Sequence, residues 1–489
     1  MAVGCGDDLV APGNDEVGDG SSDTASPDES ETETETETGT ESETEGDTDT
    51  GPELPVPGEL RWHLALPGTA RCLAAWDGGL LVGGSFAQTL IVPNGTFEAV
   101  TEDGMLLQVD YGGEVVWGQG YGGEAADRFD GLTVAGERVV AAASYAYGTT
   151  NYGGEVLPPA TDLFGRNLAL VGLRAPAPGE ALVHDWSLGF DGLFAFRHLA
   201  MAGDGRVSYA GRLESGLAFE GFELPPPAHG VGINIRTELD GSEPPQASVS
   251  EVLSYGEAVE LGIASFTIFA EDPGGAGLYL TGVYEGSIDL GGEGLSAEDW
   301  GNFLARFDAE GELEWVRSLG GAFVSDGELS PEGDLLLVGG FLGAFEFGAE
   351  VLSAGTGSFD GYVLRVTPSG DASLELMVTG PNVESIEHLA LAPNGDLGVS
   401  GWGKVGIDLG AGVVPADHGN YDAFIARYDG DGELLWGHVL GSSSADSVEG
   451  SEFGADGHLY TLLRAPKPLD LDPEGGGAVV EGAVLLSHE

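Results

Sequence analysis

From residue 58 to the end, the chain is a succession of short apolar runs separated by clusters of Gly, Asp, Asn, Ser and Pro. Pairs of runs recur with the same join. The segments GNFLARFDAEGELEWVRSLGG (301–321), YDAFIARYDGDGELLWGHVLGS (421–442), EDGMLLQVDYGGEVVWGQGYGG (102–123) and DGYVLRVTPSGDASLELMVTG (360–380) each predict two strands joined by a Gly-ended turn. Their runs are apolar at consecutive rather than alternate positions, which fits strands covered on both faces. The turns DAEG, DGDG, DYGG and TPSG suit a type I turn closed by a residue at positive φ, where Gly has no side chain to clash. A second hairpin precedes such pairs, as in LSPEGDLLLVGGF (329–341), LAPNGDLGVSGW (391–402), FGADGHLYTLLR (453–464) and MAGDGRVSYAGR (201–212). The repeating unit is therefore four strands, A to D in chain order.

Strand D carries a Trp slot at Trp62, Trp117, Trp186, a place between Val249 and Val252, Trp315, Leu374 and Trp436, which makes seven units. One such sheet cannot bury its faces alone. The expectation is an all-β fold: a seven-bladed β-propeller of four-stranded antiparallel blades. GELRWHLALPG (58–68) is a strand D with no strand C before it, and GAVLLSHE (482–489) is a strand C with no strand D after it. The N- and C-terminal strands are thus expected to pair and close the ring. A Trp recurring once per unit is expected to pack between neighbouring blades, so Trp62, Trp117, Trp186, Trp315 and Trp436 read as core rather than as a cofactor box.

The repeat resembles that of the bacterial SBBP family of seven-bladed propellers. The resemblance rests on DAFIARYDGDGELLWGHVLG with FGADGHLYTL, and on the connectors GSIDLGGEGLSA, GAFEFGAEVLSA and VGIDLGAGVVPA between strands B and C. It covers residues 58–489. The second and third units depart from it with the Pro-rich insertions EVLPPATDLFGR (155–166) and FEGFELPPPAHG (219–230). The resemblance implies a protein of the Gram-negative envelope or a secreted one.

Charge narrows the partners. The chain holds 82 acidic against 17 basic residues, a formal −65. Residues 1–58 contribute 18 acidic and no basic residues, leaving −47 for the remainder. Such a field repels nucleic-acid phosphates and offers them no basic patch. Residues 6–57, with ETETETETGTESETEGDTDTG, have too few apolar residues to order themselves and read as a disordered acidic linker spanning roughly 40 Å. Ahead of it, residues 1–5 end in Ala2-Val3-Gly4-Cys5, which resembles the lipobox of bacterial lipoproteins, although only four residues precede the Cys. The resemblance implies a lipid on Cys5 and an outer-membrane lipoprotein facing the periplasm or the cell surface; the alternative is a secreted protein. Cys72, in a strand-like run, reads as a small buried apolar residue.

Candidate chemistry is sparse. No G-x-S-x-G elbow, H-E-x-x-H or G-K-[ST] loop occurs, and the nine His are scattered singly. The DGDG turn lacks the ligand spacing of a calcium loop. Asp127, Asp326, Glu384 and Asp446 follow the Trp slot by ten or eleven residues, at the D-to-A crossings that together with the B–C loops form the ligand face of a propeller. They could gather calcium or a basic group there, or merely accept amides of their own turns; Cys72 holds the equivalent count in the first unit. The functional expectation is a monomeric, non-enzymatic, surface-tethered binding or scaffold protein without a cofactor, its ligand a glycan, a protein or an envelope component. The alternative is a propeller enzyme acting on polysaccharide, or a quinoprotein-like oxidoreductase.

Overall fold

The computed structural model describes residues 2–4 and 58–489, apart from short connecting segments, of which the longest are 158–166, 225–230, 240–246, 256–262, 272–276, 415–419 and 472–477. The described residues contain strands and no helix. They form a β-propeller of antiparallel sheets. Within each sheet the four strands pair in the order A-B-C-D. Strand A occupies Thr69–Trp76, Asp127–Ala135, Phe194–Met201, Ile263–Glu271, Ala322–Leu329, Glu384–Leu391 and Ser447–Phe453. Each A strand lies beside the next in this order, and Ser447–Phe453 lies beside Thr69–Trp76. Packed cores run between adjoining sheets: Trp117 shares one with Val139, Ala141 and Leu173, and Val363 shares another with Ile386 and Val399.

One sheet is composite. Ser447–Phe453, Leu459–Asp470 and Val479–His488 are joined by Leu60–Ala65 from the far end of the chain. The register pairs Trp62 with Ser487, His63 with Leu486, Leu64 with Leu485 and Ala65 with Val484. Val484, Leu485 and Leu486 are fully buried. Another sheet gains a fifth strand: Ala2–Gly4 pairs antiparallel with Asp127–Ala135, Val3 opposite Leu132.

The hairpin turns follow one design. The amide of Gly113 donates to the carbonyl of Asp110 at 3.0 Å, and that of Asp110 to the carbonyl of Glu114 at 2.9 Å. Gly432 with Asp429 and Gly370 with Thr367 repeat the first of these bonds. The closing glycines have φ of 88°, 82° and 83°, as the turn pattern predicts. In DGDG, Oδ1 of Asp429 accepts the amides of Asp431 at 3.0 Å and Glu433 at 2.9 Å. That carboxylate oxygen serves its own turn.

These turns receive the Trp residues of the neighbouring blade. Trp62 Nε1 donates to the carbonyl of Tyr111 at 3.0 Å, and its ring covers Gly113, where a Cβ would lie 2.8 Å from the indole. Trp315 Nε1 donates to Pro368 at 2.9 Å and covers Gly370. Trp436 repeats the contact where no turn exists. Its Nε1 donates to the carbonyl of Glu489 at 2.8 Å, and its ring lies against Gly58, leaving no room there for a Cβ. His438 Nε2 donates to the carbonyl of Gly58 at 2.8 Å. Gly58 and Glu489 thus occupy the place of a C–D hairpin turn.

Trp186 is buried among Leu199, Val207, Tyr209 and Ile235 of the following sheet. Of the remaining two slots, one falls within the range counted along the chain and the other departs from it. In strand D the slot follows a one-residue bulge, as Trp117, Trp315 and Trp436 do. By that criterion Glu251 holds the slot of its sheet. In Ala372–Val378 the bulge comes later and assigns the slot to Leu376, which is 8% exposed, whereas Leu374 is 38% exposed.

Trp436→Phe keeps most of the buried ring but removes the donor to Glu489, so stability should fall by about 1–2 kcal/mol. Trp436→Ala should cost about 3–5 kcal/mol. Urea unfolding of the two variants measures the difference, and equal midpoints for both and wild type would contradict the seam described.

Candidate functional site

Every A strand carries a β-bulge, and it provides a register independent of chain counting. The extra residues are Arg71, Asp130, Arg197, Ala264, Ser325, Glu387 and Glu449. Asp127, Glu384 and Asp446 stand three residues before their bulges. Asp326 and Cys72 stand one residue after theirs. The four carboxylates therefore do not share one register, because blades with counts of ten or eleven from the slot place their bulges differently.

Their bonding differs accordingly. Asp127 Oδ2 accepts the amide of Gly123 at 2.8 Å. Asp446 accepts the amide of Ser442 at 2.6 Å and its hydroxyl at 3.0 Å. Glu384, fully buried, folds against Gly380, where a Cβ would lie 2.5 Å from its carboxyl carbon. Burial, and then the charge of Asp360, push Glu384 up to about 8, against the opposing effect of the Lys404 amide.

Asp326 reaches across to the next blade. Its Oδ1 accepts the amide of Gly327 at 2.8 Å, and its Oδ2 accepts that of Leu389 at 3.1 Å. Glu328, two residues on, accepts the amide of Leu391 at 2.8 Å. His388 continues the series: its Nε2 donates to the carbonyl of Val448 at 3.0 Å in the blade beyond. Its Nδ1 then faces Asp326 Oδ2 at 4.0 Å as the unprotonated nitrogen. Burial lowers His388 to about 4 and raises Asp326 to about 7. Burial also raises Glu452, on the next inner strand, to about 8. These groups fasten inner strands to one another. Among the described residues, no group of three or more His, Cys, Asp or Glu side chains is arranged to hold a metal. Cys72 is buried, and Cys5 lies outside the described residues.

An open cavity of about 360 Å³ lies elsewhere on the loop face. Strands B and C of the 69–121 blade run on past the sheet, as Gly79–Val92 and Gly95–Asp110, into a hairpin extension. Phe86, Phe97, Glu98 and Asp103 come from this pair, Gln119 and Gly122 from strand D and its end, and Asn151 with Gly153 from the next blade's B–C connection. Asp103 is only 9% exposed, and Gly122 leaves it room: a Cβ there would lie 2.5 Å from the carboxyl carbon. Burial raises Asp103 to about 6. Glu98 accepts the hydroxyl of Thr89 at 3.0 Å, and Asn151 Oδ1 accepts the amide of Gly153 at 2.6 Å. No sequence motif marks this place. The PNG turn (93–95) between alternating runs is the one signal that could have disclosed the hairpin.

No family model matches the chain, and no curated protein matches it either. Solved structures do. The Dos1 propeller is 8% identical, with a TM-score of 0.37 over 88% of this chain and 95% of that one. Sqt1 from Chaetomium thermophilum is 13% identical, with a TM-score of 0.36 over 86% of each chain. A glucose dehydrogenase is 10% identical, with a TM-score of 0.32 over 88% of this chain and 98% of that one. Likeness at this level carries no argument for this chain, and the propeller is read from its own strand pairing.

The raised carboxylates set the pH dependence. Glu384, Asp326 and Glu452 have folded pKa values above their ordinary 3.8–4.5, so the stability they contribute is complete below that range and is lost as pH rises through about 7 to 8. His388 acts in the opposite sense, its contribution present above 6.5 and lost as pH falls through about 4. Glu384→Gln should therefore raise stability at about pH 8.5 by about 1–3 kcal/mol and change it little near pH 4.5. Melting curves across this range test it, and parallel curves for variant and wild type would refute the assignment.

Proposed function

We propose that the protein is a non-enzymatic binding module: a closed ring of seven four-stranded blades, held at the cell envelope by an acidic tether and a lipid on Cys5. The unbroken succession of A strands, ending with Ser447–Phe453 beside Thr69–Trp76, supports the seven-unit ring, as does the pairing of Leu60–Ala65 with Val479–His488. The resemblance of the repeat to SBBP units agrees with this count. The observation that carries the binding reading is the cavity at the loop face, built from a hairpin extension of one blade and the B–C connection of the next. Ligand sites of propellers form where loops of adjoining blades converge.

A propeller enzyme is the second reading. Asp326 and Glu384, raised to about 7 and 8, titrate where acid–base catalysts do. Their burial and their contacts within and between blades favour a structural role instead. The tether has a chemical consequence. Cleavage before Cys5 removes Ala2–Gly4, so a lipidated molecule lacks the strand that lines Asp127–Ala135.

A glycan array probed in calcium and again in chelator, with mass spectrometry of any bound glycan, tests the reading. Retention of unaltered glycan is expected; cleaved or oxidised glycan would establish the enzyme instead. Comparison of the two conditions reports whether calcium takes part. Lipid labelling of the full-length protein should disappear in Cys5→Ser, and labelling that persists would remove the tether.

A further inference from the structure

We propose that the cavity bounded by Phe97, Asp103, Gln119 and Asn151 is a binding site for an amino sugar, with the protonated amine against Asp103 and Glu98. This rests on the binding reading and names its ligand class.

Three observations converge on a cation carried by a hydroxylated ring. First, Asp103 is more than nine-tenths buried at the cavity wall, yet its Oδ1 has no hydrogen-bond partner among the described residues. With Oδ1 enclosed beside Gly122 the carboxylate is short of donors, and a ligand cation at the edge of Asp103 that remains exposed to the cavity relieves that cost. Glu98, exposed on the hairpin extension, adds a second carboxylate to the same wall. Second, Phe86 and Phe97 supply apolar area on which one face of a sugar ring can rest, and their quadrupoles favour a nearby cation. Third, the side-chain amides of Gln119 and Asn151 offer donors and acceptors for hydroxyl groups on the ring. The cavity volume lies within the range of small-ligand sites.

Charge acts in the same direction. With 82 acidic and 17 basic residues, the chain draws cations toward its surface and disfavours anionic sugars. A neutral sugar would satisfy the amides but leave the carboxylates unpaired. A simple alkylamine would pair with the carboxylates but leave the amides unused. Asp103 must be ionised to pair with an ammonium group, so its elevation to about 6 predicts binding that weakens as pH falls through that value.

Titration calorimetry with glucosamine, glucose, N-acetylglucosamine and butylamine, each at millimolar concentration, tests the assignment on the full chain. Glucosamine should bind at least about tenfold more tightly than the other three at about pH 7, and about tenfold more weakly at about pH 5 than at pH 7. Asp103→Asn should remove that preference, and Phe97→Ala should weaken glucosamine at least about fivefold, measured well below the melting temperature of the variant because Phe97 also packs against the core that holds Phe86. Equal binding of glucose and glucosamine, or preference for butylamine, overturns the amino-sugar assignment. So does absence of binding by all four. If a glycan-array signal then persists unchanged in Asp103→Asn, the binding reading survives with its site elsewhere; if glycans are turned over, the binding reading itself fails.

Discussion

A four-stranded sheet that is apolar on both faces has to be covered twice. In this chain the cover comes from neighbouring sheets of the same kind, and the other features of the fold follow from that requirement. The inner strands are brought side by side, where their polar groups lose water. Asp326 and Glu328 meet this loss by accepting amides of the next inner strand, and His388 by donating to the one beyond. At the outer strands the same requirement is met by Trp, whose ring fills the space over a neighbour's turn and whose N–H takes up a turn carbonyl.

Close approach also explains the glycines of strand B. Across from the inner-strand bulge, a Cβ at Gly84, Gly339 or Gly401 would lie 2.0 Å from a strand A carbonyl oxygen. The VGG and VSG runs of these strands are therefore tied to the bulge on their partner. Bulge, glycine and inter-blade carboxylate belong to one packing solution. Packing of the inner strands is thus enough to account for the raised pKa values of Asp326 and Glu452.

Much of the architecture was legible because its signals are local. A turn needs Gly at a fixed offset, and a Trp four residues later follows from the hairpin geometry; both repeat through the chain. The errors arose where geometry departs from counting. Leu374 stands four residues after Gly370, as the Trp does in other units, but a displaced bulge hands the buried place to Leu376. Asp326 stands eleven residues after Trp315 and Asp127 ten after Trp117, yet the two lie on opposite sides of their bulges. The cavity was not legible at all. Asp103 and Asn151 belong to different blades, and nothing short of the folded ring places them on one wall. The B–C connection of the 69–121 blade, expected as a loop, continues its strands into a hairpin around the PNG turn, with exposure alternating along the start of Gly95–Asp110.

The seam between Gly58 and Glu489 bears on how the ring is made. The strand that carries Trp62 leaves the ribosome well before its partner Val479–His488. Until that partner is made, the earlier strand has no edge to join. Every other sheet except the one joined by Ala2–Gly4 is assembled from consecutive strands and can form as it appears. The final step alone requires contact across nearly the whole length of the chain, which makes it the slowest by loop-closure entropy. An interrupted or shortened chain is thus left as an open arc with two unsatisfied edges, suited to pairing with a second arc. A single junction, stapled by Trp436 and His438, stands between two paired edges and two open ones.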